Sequence, residues 1–596
     1  MPEYKAPLTD INFILHEVFD VTQLSKMQGF EEATPDMIDA IVGEGARICE
    51  DVLFPLNQVG DQEGCHWNDG VVTTPKGFKE AYQTYIENGW TSMVADPEHG
   101  GQGLPQIVQV VMEELICSAN MSFGMYPGLS KGAYDALNMH ASDEIKNLYL
   151  PKMVEGTWSG TMCLTEPHCG TDLGQIKTKA DPNDDGSYKI TGTKIFISAG
   201  EHDLTENILH LVLAKLPGAP DTTKGISLFL VPKFNVNDDG SLGDRNTIKC
   251  GSIEHKMGIH GNATCVMNLD GAKGFLVGAP HKGMKAMFTM MNMARLAVGM
   301  QGLGLAEVSY QNALIYAKDR VQGRSLGGTK YPDKVADPII VHPGVRKDLL
   351  YMKSIIEAGR ALTYYTGIQE DVAHKHADEQ VRKDAHDWVS LMTPIIKAHL
   401  TDMGYEIAGR GMMVYGGHGY IQEWGMEQYA RDAKITQIYE GTNGIQALDL
   451  VGRKMGQNMG RLLRSFFHPA LAFIDENKDH PAVGDYIEPF GKAVSKLQQA
   501  SLTLAQKGLK NPLEAGAGAS DYMRMFGVIS LGYMWLLMAK TAHEKIESGE
   551  GDQKFYEAKL KTCRYYMQRV LPEHYGAYHA LLTGADNLMA LDEDQF

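Results

Sequence analysis

The residue best placed to do chemistry is Glu440, which stands between Tyr439 and Gly441. Apolar residues before it recur at helical spacing and the glycine interrupts that pattern, so Glu440 is predicted at a break between two helices. We predict that Asn443 caps the second helix, with Gln446 three residues further on. A carboxylate at such a break reaches a cavity while its helix stays packed. Because Gly441 lets a ligand approach the backbone, the Glu440 amide can donate to a carbonyl oxygen of that ligand.

The same carboxylate also has an ordinary explanation. A Glu that precedes a Gly often only ends a helix, or it pairs with a nearby cation such as Arg431 or Lys434. The remaining motifs of the chain have to separate the two interpretations.

A second set of candidate residues lies between a strand-like segment and a turn, in the string from Met162 to Asp172. Thr165, Thr171 and the amides around Gly170 offer hydroxyl and backbone donors to an acceptor-rich, anionic ligand. The alternative is an ordinary polar turn. Further along, period-2 alternation places Phe196 and Ser198 on one face of a strand, where Phe196 is either a core residue or an aromatic plane beside a hydroxyl.

These residues belong to a chain of 596 residues, long enough for about four domains. The content of 43% hydrophobic and 22% charged residues is typical of globular proteins. The net charge of -19 opposes binding to nucleic acid and to anionic membranes. The 8 cysteines form no Cys-x-x-Cys pair and no Cys/His cluster, which argues against a disulfide framework and against a metal site.

No signal or transit peptide pattern opens the sequence, and the longest apolar run, Phe526–Ala539, is predicted to be a buried core helix. We therefore expect a cytoplasmic protein without integral membrane contact.

The pattern of apolar residues along the sequence predicts a mainly helical α+β protein with four domains. Helical periodicity dominates residues 1–160 and returns at 283–467, whereas 161–282 contains short alternating and β-branched runs that predict an antiparallel β domain or barrel. Residues 468–596 are predicted to form an appended helical domain with a loop at 511–520. Gly124, Gly128 and Gly132 are interpreted as glycines of a turning loop.

The segment Gln437-Ile-Tyr-Glu-Gly-Thr442 resembles the catalytic segment of the acyl-CoA dehydrogenases, and Cys163-Leu-Thr-Glu-Pro-His-Cys-Gly-Thr-Asp172 is similar to their flavin-binding segment. Other family-like segments follow in the family's order over about residues 90 to 455. The opening residues and the long tail resemble the extended bacterial branch, which includes 3-methylmercaptopropionyl-CoA dehydrogenases. The resemblance implies the family's fold: helical domain, β domain, helical bundle and helical extension.

By this resemblance Glu440 is the base that removes the proton alpha to a thioester, and FAD is the cofactor. The residues implied at FAD are Met162, Leu164, Thr165, Gly170, Thr171, Phe196, Ser198, Arg320, Gly417 and Thr442. The residues implied at the substrate are Thr171, Asn292, Arg295, Tyr439 and Gly441. Phe196 and Ser198 replace the family's usual Trp and Thr, and the segment that begins at Arg320 lacks the usual Phe. The resemblance also gives an alternative interpretation of Gly124, Gly128 and Gly132, as small residues at the far end of a deep acyl pocket.

The resemblance implies conversion of an acyl-CoA to the trans-2-enoyl-CoA, with electrons passed to an electron-transfer flavoprotein. The substrate is expected to be 3-(methylthio)propanoyl-CoA or a related straight-chain acyl-CoA of short to long chain. Because Arg320 and Gly417 would reach the FAD of a neighbouring subunit, a homodimer or a dimer of dimers is expected. Two alternatives stay open: an acyl-CoA oxidase that uses oxygen, and a non-catalytic CoA-binding subunit.

Overall fold

The computed structural model describes residues 2–596, and these residues cluster into two compact units. Unit 1 comprises the chain through Gly43, then Pro105–Glu114 and Val298–Phe596. Unit 2 comprises Glu44–Leu104 and Leu115–Ala297. The four domain boundaries expected from the sequence stay a prediction.

Helices dominate the described residues. The α-helices are α1 (Leu8–Asn12), α2 (Pro35–Ile48), α3 (Asn57–Glu63), α4 (Phe78–Glu87), α5 (Gln106–His140), α6 (Asp143–Val154), α7 (Gly283–Asp319), α8 (Pro343–Lys375), α9 (Glu379–Tyr415), α10 (Met426–Thr436), α11 (Asn443–Asp449), α12 (Arg461–Glu476), α13 (Gly484–Lys510), α14 (Pro512–Ser548), α15 (Gln553–Tyr565) and α16 (His574–Leu582). The strands are β1 (His66–Asn68), β2 (Val71–Thr73), β3 (Trp158–Cys163), β4 (Lys179–Pro182), β5 (Tyr188–Ser198), β6 (Asn207–Lys215), β7 (Ile226–Pro232), β8 (Phe234–Val236), β9 (Leu242–Arg245), β10 (Ile248–Ile253) and β11 (Thr264–Val277).

The large sheet of unit 2 is built around a closed ring of strands. β11 pairs with β5, β5 with β4, β4 with β6, β6 with β7, and β7 returns to β11. β10 adds to the outside of β11, and β3 adds in parallel to β6. The predicted β domain or barrel is therefore present, but its sheet is only mostly antiparallel, because β3 and β4 both pair with β6 in parallel. β6 and β7 read as continuous apolar runs because both of their faces are buried.

Unit 1 is helical around a central apolar helix, α14. By length and composition α14 could cross a membrane, with a mean hydropathy of 1.3 in its most apolar window, yet 83% of that window is buried inside the protein. Within unit 1, Trp535 of α14 donates its indole N–H to the Ser354 carbonyl of α8 at 2.8 Å. This burial agrees with the prediction of a core helix for residues 526–539.

Two local predictions are wrong. Gly124, Gly128 and Gly132 lie inside the long helix α5 and not in a turning loop. The predicted loop at 511–520 is also absent, because α13 ends at Lys510 and α14 begins at Pro512. Only Asn511 separates the two helices, and its side chain caps α14 by accepting from the Leu513 amide at 3.1 Å.

Candidate active site

The turn between α10 and α11, in unit 1, carries the candidate base. Glu440 has a φ of 57° and Gly441 a φ of 85°, so two successive residues adopt left-handed backbone. Gly441 does so at little cost, whereas a residue with a Cβ is strained there. Strain of this kind persists only where the surrounding structure enforces it, and it is common at functional sites. The predicted helix break at Glu440 is therefore present.

Two fully buried side chains hold this turn in place. Gln446 of α11 donates its amide to the Glu440 carbonyl at 2.8 Å. Lys397 of α9 donates its ammonium to the Gly441 carbonyl at 2.8 Å and to Asn443 Oδ1 at 2.8 Å. Hydrogen bonds from a buried ammonium are among the strong ones in proteins, so they fix the backbone on both sides of the strained peptide.

The helix that follows the turn begins with a different cap from the one predicted. Thr442 is the N-cap of α11, and its hydroxyl accepts from the Ile445 amide at 3.3 Å. The prediction of Asn443 as cap is wrong because the Asn443 side chain is used by α9: its amide donates to the Ala398 carbonyl at 3.1 Å. Asn443 thus anchors α11 to α9, and Gln446 serves the turn and not a capping box.

The neighbours of Glu440 in sequence also have defined partners. The Tyr439 hydroxyl donates to Gln301 of α7, within unit 1. Arg431 forms an ion pair with Glu427, and the Lys434 ammonium donates to Gln437 Oε1 at 2.9 Å. One turn therefore contains Tyr439, Glu440, Gly441 and Thr442. Side chains of α7, α9 and α11 hydrogen-bond to it.

In unit 2, the end of β3 and the loop after it contain five of the residues predicted at the flavin. Met162 and Thr165 are partly buried and Leu164 is buried, whereas Gly170 and Thr171 are exposed. The Thr165 carbonyl accepts from the Ile195 amide of β5 at 2.9 Å. Among the described residues of the protein, the Thr165 amide N–H donates to no acceptor. The loop therefore offers a backbone donor beside an apolar surface.

The strand beside that loop, β5, carries the other two predicted residues. Its pairing with β11 is irregular between Cys265 and Met267, which is where Phe196 adopts a left-handed φ of 59°. At this bulge Phe196 is 60% exposed, whereas Ile197 is buried and Ser198 is half-buried. A bulge that turns a large aromatic side chain outward is a feature of sites that bind a planar ligand face.

Lys194 and Glu166, which the sequence analysis left without a role, form a buried ion pair at the same place. Regular alternation would put Lys194 on the same face as Phe196, but Lys194 is fully buried. Its ammonium lies 2.8 Å from Glu166 Oε1, between the loop after β3 and β5. The bulge places the Lys194 and Phe196 side chains on opposite sides of the strand. Residue spacing in the sequence does not predict this bulge.

The remaining predicted residues lie elsewhere in the two units. On the part of α7 in unit 2, Asn292 is exposed and Arg295 is buried. In unit 1, Arg320 directly follows α7 and is exposed, and Gly417 is exposed in the 3₁₀ turn after α9. That turn is fixed by aromatic contacts: His418 stacks on Trp424 with ring centroids 4.2 Å apart.

Sequence reasoning missed the roles of two buried residues at Glu440, Lys397 and Gln446. Lys397 had a detectable signal, because it interrupts the apolar phase of α9 directly after Ile395 and Ile396. A cation on the buried face of a helix must have a polar or anionic partner, so its position in the sequence predicts a buried hydrogen bond or ion pair. Gln446 was noticed, but for a capping role that it does not have.

Comparison with known proteins identifies four domains between residues 66 and 592. Four sequence models match: the acyl-CoA dehydrogenase N-terminal domain at 66–157, its middle domain at 161–272, its C-terminal domain at 281–455, and an acetyl-CoA dehydrogenase C-terminal-like domain at 466–592. The chain resembles a crystal structure of an acyl-CoA dehydrogenase complexed with FAD from Bacillus anthracis, with a TM-score of 0.74 and 20% identity over 94% of this chain and 90% of that one.

Two relatives match over nearly their full length. A butyryl-CoA dehydrogenase of Syntrophomonas wolfei is 36% identical over 100% of this chain and 99% of its own. A 3-methylmercaptopropionyl-CoA dehydrogenase of Ruegeria pomeroyi is 40% identical over 98% of this chain and 99% of its own. The chain therefore belongs to the acyl-CoA dehydrogenase family, whose members are oxidoreductases that act on acyl-CoA.

Proposed function

We propose that this protein removes the α-proton and the β-hydride of an acyl-CoA thioester, with Glu440 as the base, and forms the trans-2-enoyl-CoA. The observation that carries the proposal is the strained turn at Glu440, held by the buried side chains of Lys397 and Gln446. A Glu that only ended a helix would not require left-handed backbone. Strained backbone of this kind clusters at functional sites.

The chain's own residues have defined parts in this reaction. The Glu440 carboxylate accepts the α-proton, and the Glu440 amide donates to the thioester oxygen as negative charge develops there. Tyr439 and Gly441 border the reacting carbons in this proposal. Gly441 also keeps Gln446 on the Glu440 carbonyl, because a Cβ at this position would lie 2.7 Å from Gln446 Nε2.

The cofactor is FAD, which supplies the hydride acceptor when bound. Two features of unit 2 fit a flavin: the Thr165 N–H, which has no acceptor among the described residues, and the outward face of Phe196. Leu164 and Met162 add apolar surface beside them. We assign Gly170, Thr171 and Ser198 to the same cofactor, and Arg320 and Gly417 to the FAD of a second subunit in a homodimer.

The substrate is proposed to be 3-(methylthio)propanoyl-CoA or another short straight-chain acyl-CoA. The support is the 40% identity to a 3-methylmercaptopropionyl-CoA dehydrogenase and the 36% identity to a butyryl-CoA dehydrogenase. Arg295 is assigned to the CoA portion, since an anionic ligand needs local cations in a protein of net charge -19. Asn292 is assigned to the same portion as a neutral hydrogen-bond donor. The proposed electron acceptor is an electron-transfer flavoprotein.

The experiment that tests the function is an anaerobic titration of the purified protein with acyl-CoAs from 3-(methylthio)propanoyl to palmitoyl. Bleaching of the flavin band by the short chains at the lowest concentrations is expected. Bleaching by long chains alone would overturn the substrate assignment. A protein that stays colourless after added FAD would overturn the enzymatic function and favour a CoA-binding subunit. Rapid peroxide formation in air would identify an oxidase.

A further inference from the structure

The buried ammonium of Lys194 contacts the loop of unit 2 that we assign to the flavin. Its Nζ donates to the Leu164 carbonyl at 2.9 Å and to Glu166 Oε1 at 2.8 Å. Leu164 and Thr165 share one peptide bond, so this ammonium binds the carbonyl of the peptide whose N–H belongs to Thr165. That N–H is the backbone donor without an acceptor among the described residues.

Glu166 is held as the counter-charge of Lys194 by three further donors. Oε2 accepts from the Lys177 amide at 2.7 Å, and Oε1 accepts from the Thr178 amide at 3.1 Å and the Thr178 hydroxyl at 2.6 Å. Burial opposes ionisation of Glu166, but the charge of Lys194 and these hydrogen bonds outweigh it and lower the pKa of the carboxyl. The carboxylate is therefore fixed, and it fixes the ammonium.

The same pair joins the two flavin-facing segments. Lys194 stands two residues before Phe196 on β5, and the Ile195 amide between them donates to the Thr165 carbonyl. Both carbonyls that flank the Thr165 N–H, those of Leu164 and Thr165, are thus bound to β5. The direction of that N–H is set by β5, and a positive charge on the far end of its peptide makes it a stronger donor.

We propose that Lys194, fixed by Glu166, is a positioning residue that orients the Thr165 peptide and strengthens its N–H as a donor to the flavin. A stronger donor favours the reduced flavin, which carries more electron density than the oxidised form, so Lys194 raises the reduction potential. The proposal rests on the proposed FAD function and adds to it a residue that sets affinity and potential without touching the reacting atoms.

The test compares Lys194→Met with Lys233→Met in the absence of substrate. Lys233 is a matched control in the same sheet domain, because it is also buried and also pairs with a buried carboxylate, that of Glu201. Three quantities are measured: FAD affinity of the apoprotein by fluorescence quenching, flavin reduction potential, and amide hydrogen exchange of residues 162–172 in the apoprotein.

We expect Lys194→Met to weaken FAD binding by about tenfold or more, to lower the potential and to speed exchange in the loop, while Lys233→Met changes stability alone. Unchanged affinity and potential in Lys194→Met, or equal changes in Lys233→Met, would overturn the proposal. If Lys194→Met does not fold, Thr178→Val replaces it, since it loosens Glu166 and keeps Lys194. Unchanged FAD affinity in Thr178→Val would then contradict the proposal. Failure of the wild-type apoprotein to bind FAD would instead refute the proposed function.

Discussion

Glu440 shows how single residues create the site. A non-glycine residue at a φ of 57° costs on the order of 1–3 kcal/mol. The hydrogen bonds from Lys397 and Gln446 to the two adjacent carbonyls offset that cost, because leaving a buried carbonyl without a donor would cost a similar amount. The backbone of the proposed base is therefore fixed by the protein itself before any substrate binds.

The glycine after the base is predicted to be irreplaceable. Gly441→Ala puts a Cβ into left-handed backbone and within 2.7 Å of Gln446 Nε2, so Gln446 must release the Glu440 carbonyl. We expect a loss of about 1–2 kcal/mol in the free energy of unfolding and a large loss of turnover. Gly444→Ala is the control, because a Cβ there meets only Thr442 Oγ1 at 3.8 Å. Equal effects of the two variants on activity would contradict this account.

Lys397 is predicted to affect catalysis only by holding the turn that carries Glu440 in position. Lys397→Met removes the ammonium from the Gly441 carbonyl and should lower kcat about a hundredfold while FAD stays bound, since small displacements of a base are costly. The unfolding free energy should fall by about 2–3 kcal/mol. Thr393→Val on the same helix, whose hydroxyl contacts only the Val389 carbonyl within the helix, should keep kcat. The idea fails if Lys397→Met turns over at the wild-type rate.

Sequence reasoning identified the proposed base but not the residues that hold it in place. Glu440 and Gly441 are adjacent and interrupt a periodic pattern, so the sequence alone identifies them. Lys397 lies on another helix, and Lys194 is buried only because a bulge separates it from Phe196. Contacts of this kind depend on tertiary packing and strand irregularity, which period-based rules do not contain.

At the scale of elements, His260 is one of the residues that hold the loop between β10 and β11, residues 254–263. His260 Nδ1 lies 2.9 Å from the Asp61 carbonyl and 3.1 Å from Asp61 Oδ1, and Nε2 lies 2.8 Å from the Lys256 carbonyl. Both ring nitrogens face acceptors, so the protonated ring satisfies them all. The hydrogen bond to Asp61 is the main cause that raises the pKa of His260 to about 9.

This arrangement predicts a pH-dependent stability. Because the folded-state pKa is raised, the contribution of His260 is fully present below its ordinary pKa of about 6.5 and is lost as pH rises through about 9. His260→Gln should lower the unfolding free energy by about 1–2 kcal/mol at pH 6, and the difference from wild type should disappear above pH 9. Urea unfolding across this range, with exposed His255→Gln as control, measures it. A difference that stays constant with pH would refute the role of protonation.

Secondary-structure elements were predicted best where a single residue pattern continued along the whole element. The periodicity of α7 and α8 and the alternating strands of unit 2 gave the right element types. The glycines of α5 were misinterpreted because glycine breaks helices by propensity, whereas here the helix continues. Gly132 explains why: a Cβ there would lie 3.0 Å from Met290 Cγ, so close packing requires the small residue.

For the whole molecule, a buried network of charges joins the two ends of the chain within unit 1. Lys559 of α15 contacts Asp10 of α1 and Glu357 of α8, and Arg360 of α8 contacts Asp10 and Glu114. Burial opposes ionisation of Asp10, but Lys559 and Arg360 lower its pKa to about 2. The C-terminal extension is therefore held by ionic contacts with the N-terminal segment as well as by apolar packing.

Removal of one member of this network should destabilise the protein strongly. Lys559→Met removes one of the two cations that contact each of two buried carboxylates, since Asp10 keeps Arg360 and Glu357 keeps Lys353. We expect a loss of about 2–3 kcal/mol in the free energy of unfolding. Lys561→Met is the control two residues away, since Lys561 is exposed and pairs only with Glu557 one turn earlier, and it should cost under about 0.5 kcal/mol. Chemical denaturation measures both. Similar losses would show that the network does not stabilise unit 1.

The fold class followed from the sequence because apolar periodicity and family-like motifs agreed over most of the chain. The grouping into two units did not follow, because α5 and α7 each contribute residues to both units. Sequence patterns locate helices, but they do not show where a helix passes from one packed unit to another.

The most direct test of the central claim is anaerobic single-turnover reduction of the flavin by 3-(methylthio)propanoyl-CoA and butyryl-CoA, in the wild type and in Glu440→Gln. The Gln side chain keeps the size of the base but cannot accept the α-proton. We predict that Glu440→Gln retains FAD and still binds the acyl-CoA, seen as a shift of the flavin spectrum, but bleaches about a thousandfold more slowly or not at all. Bleaching of Glu440→Gln at a rate near that of the wild type would contradict the assignment of Glu440 as the base.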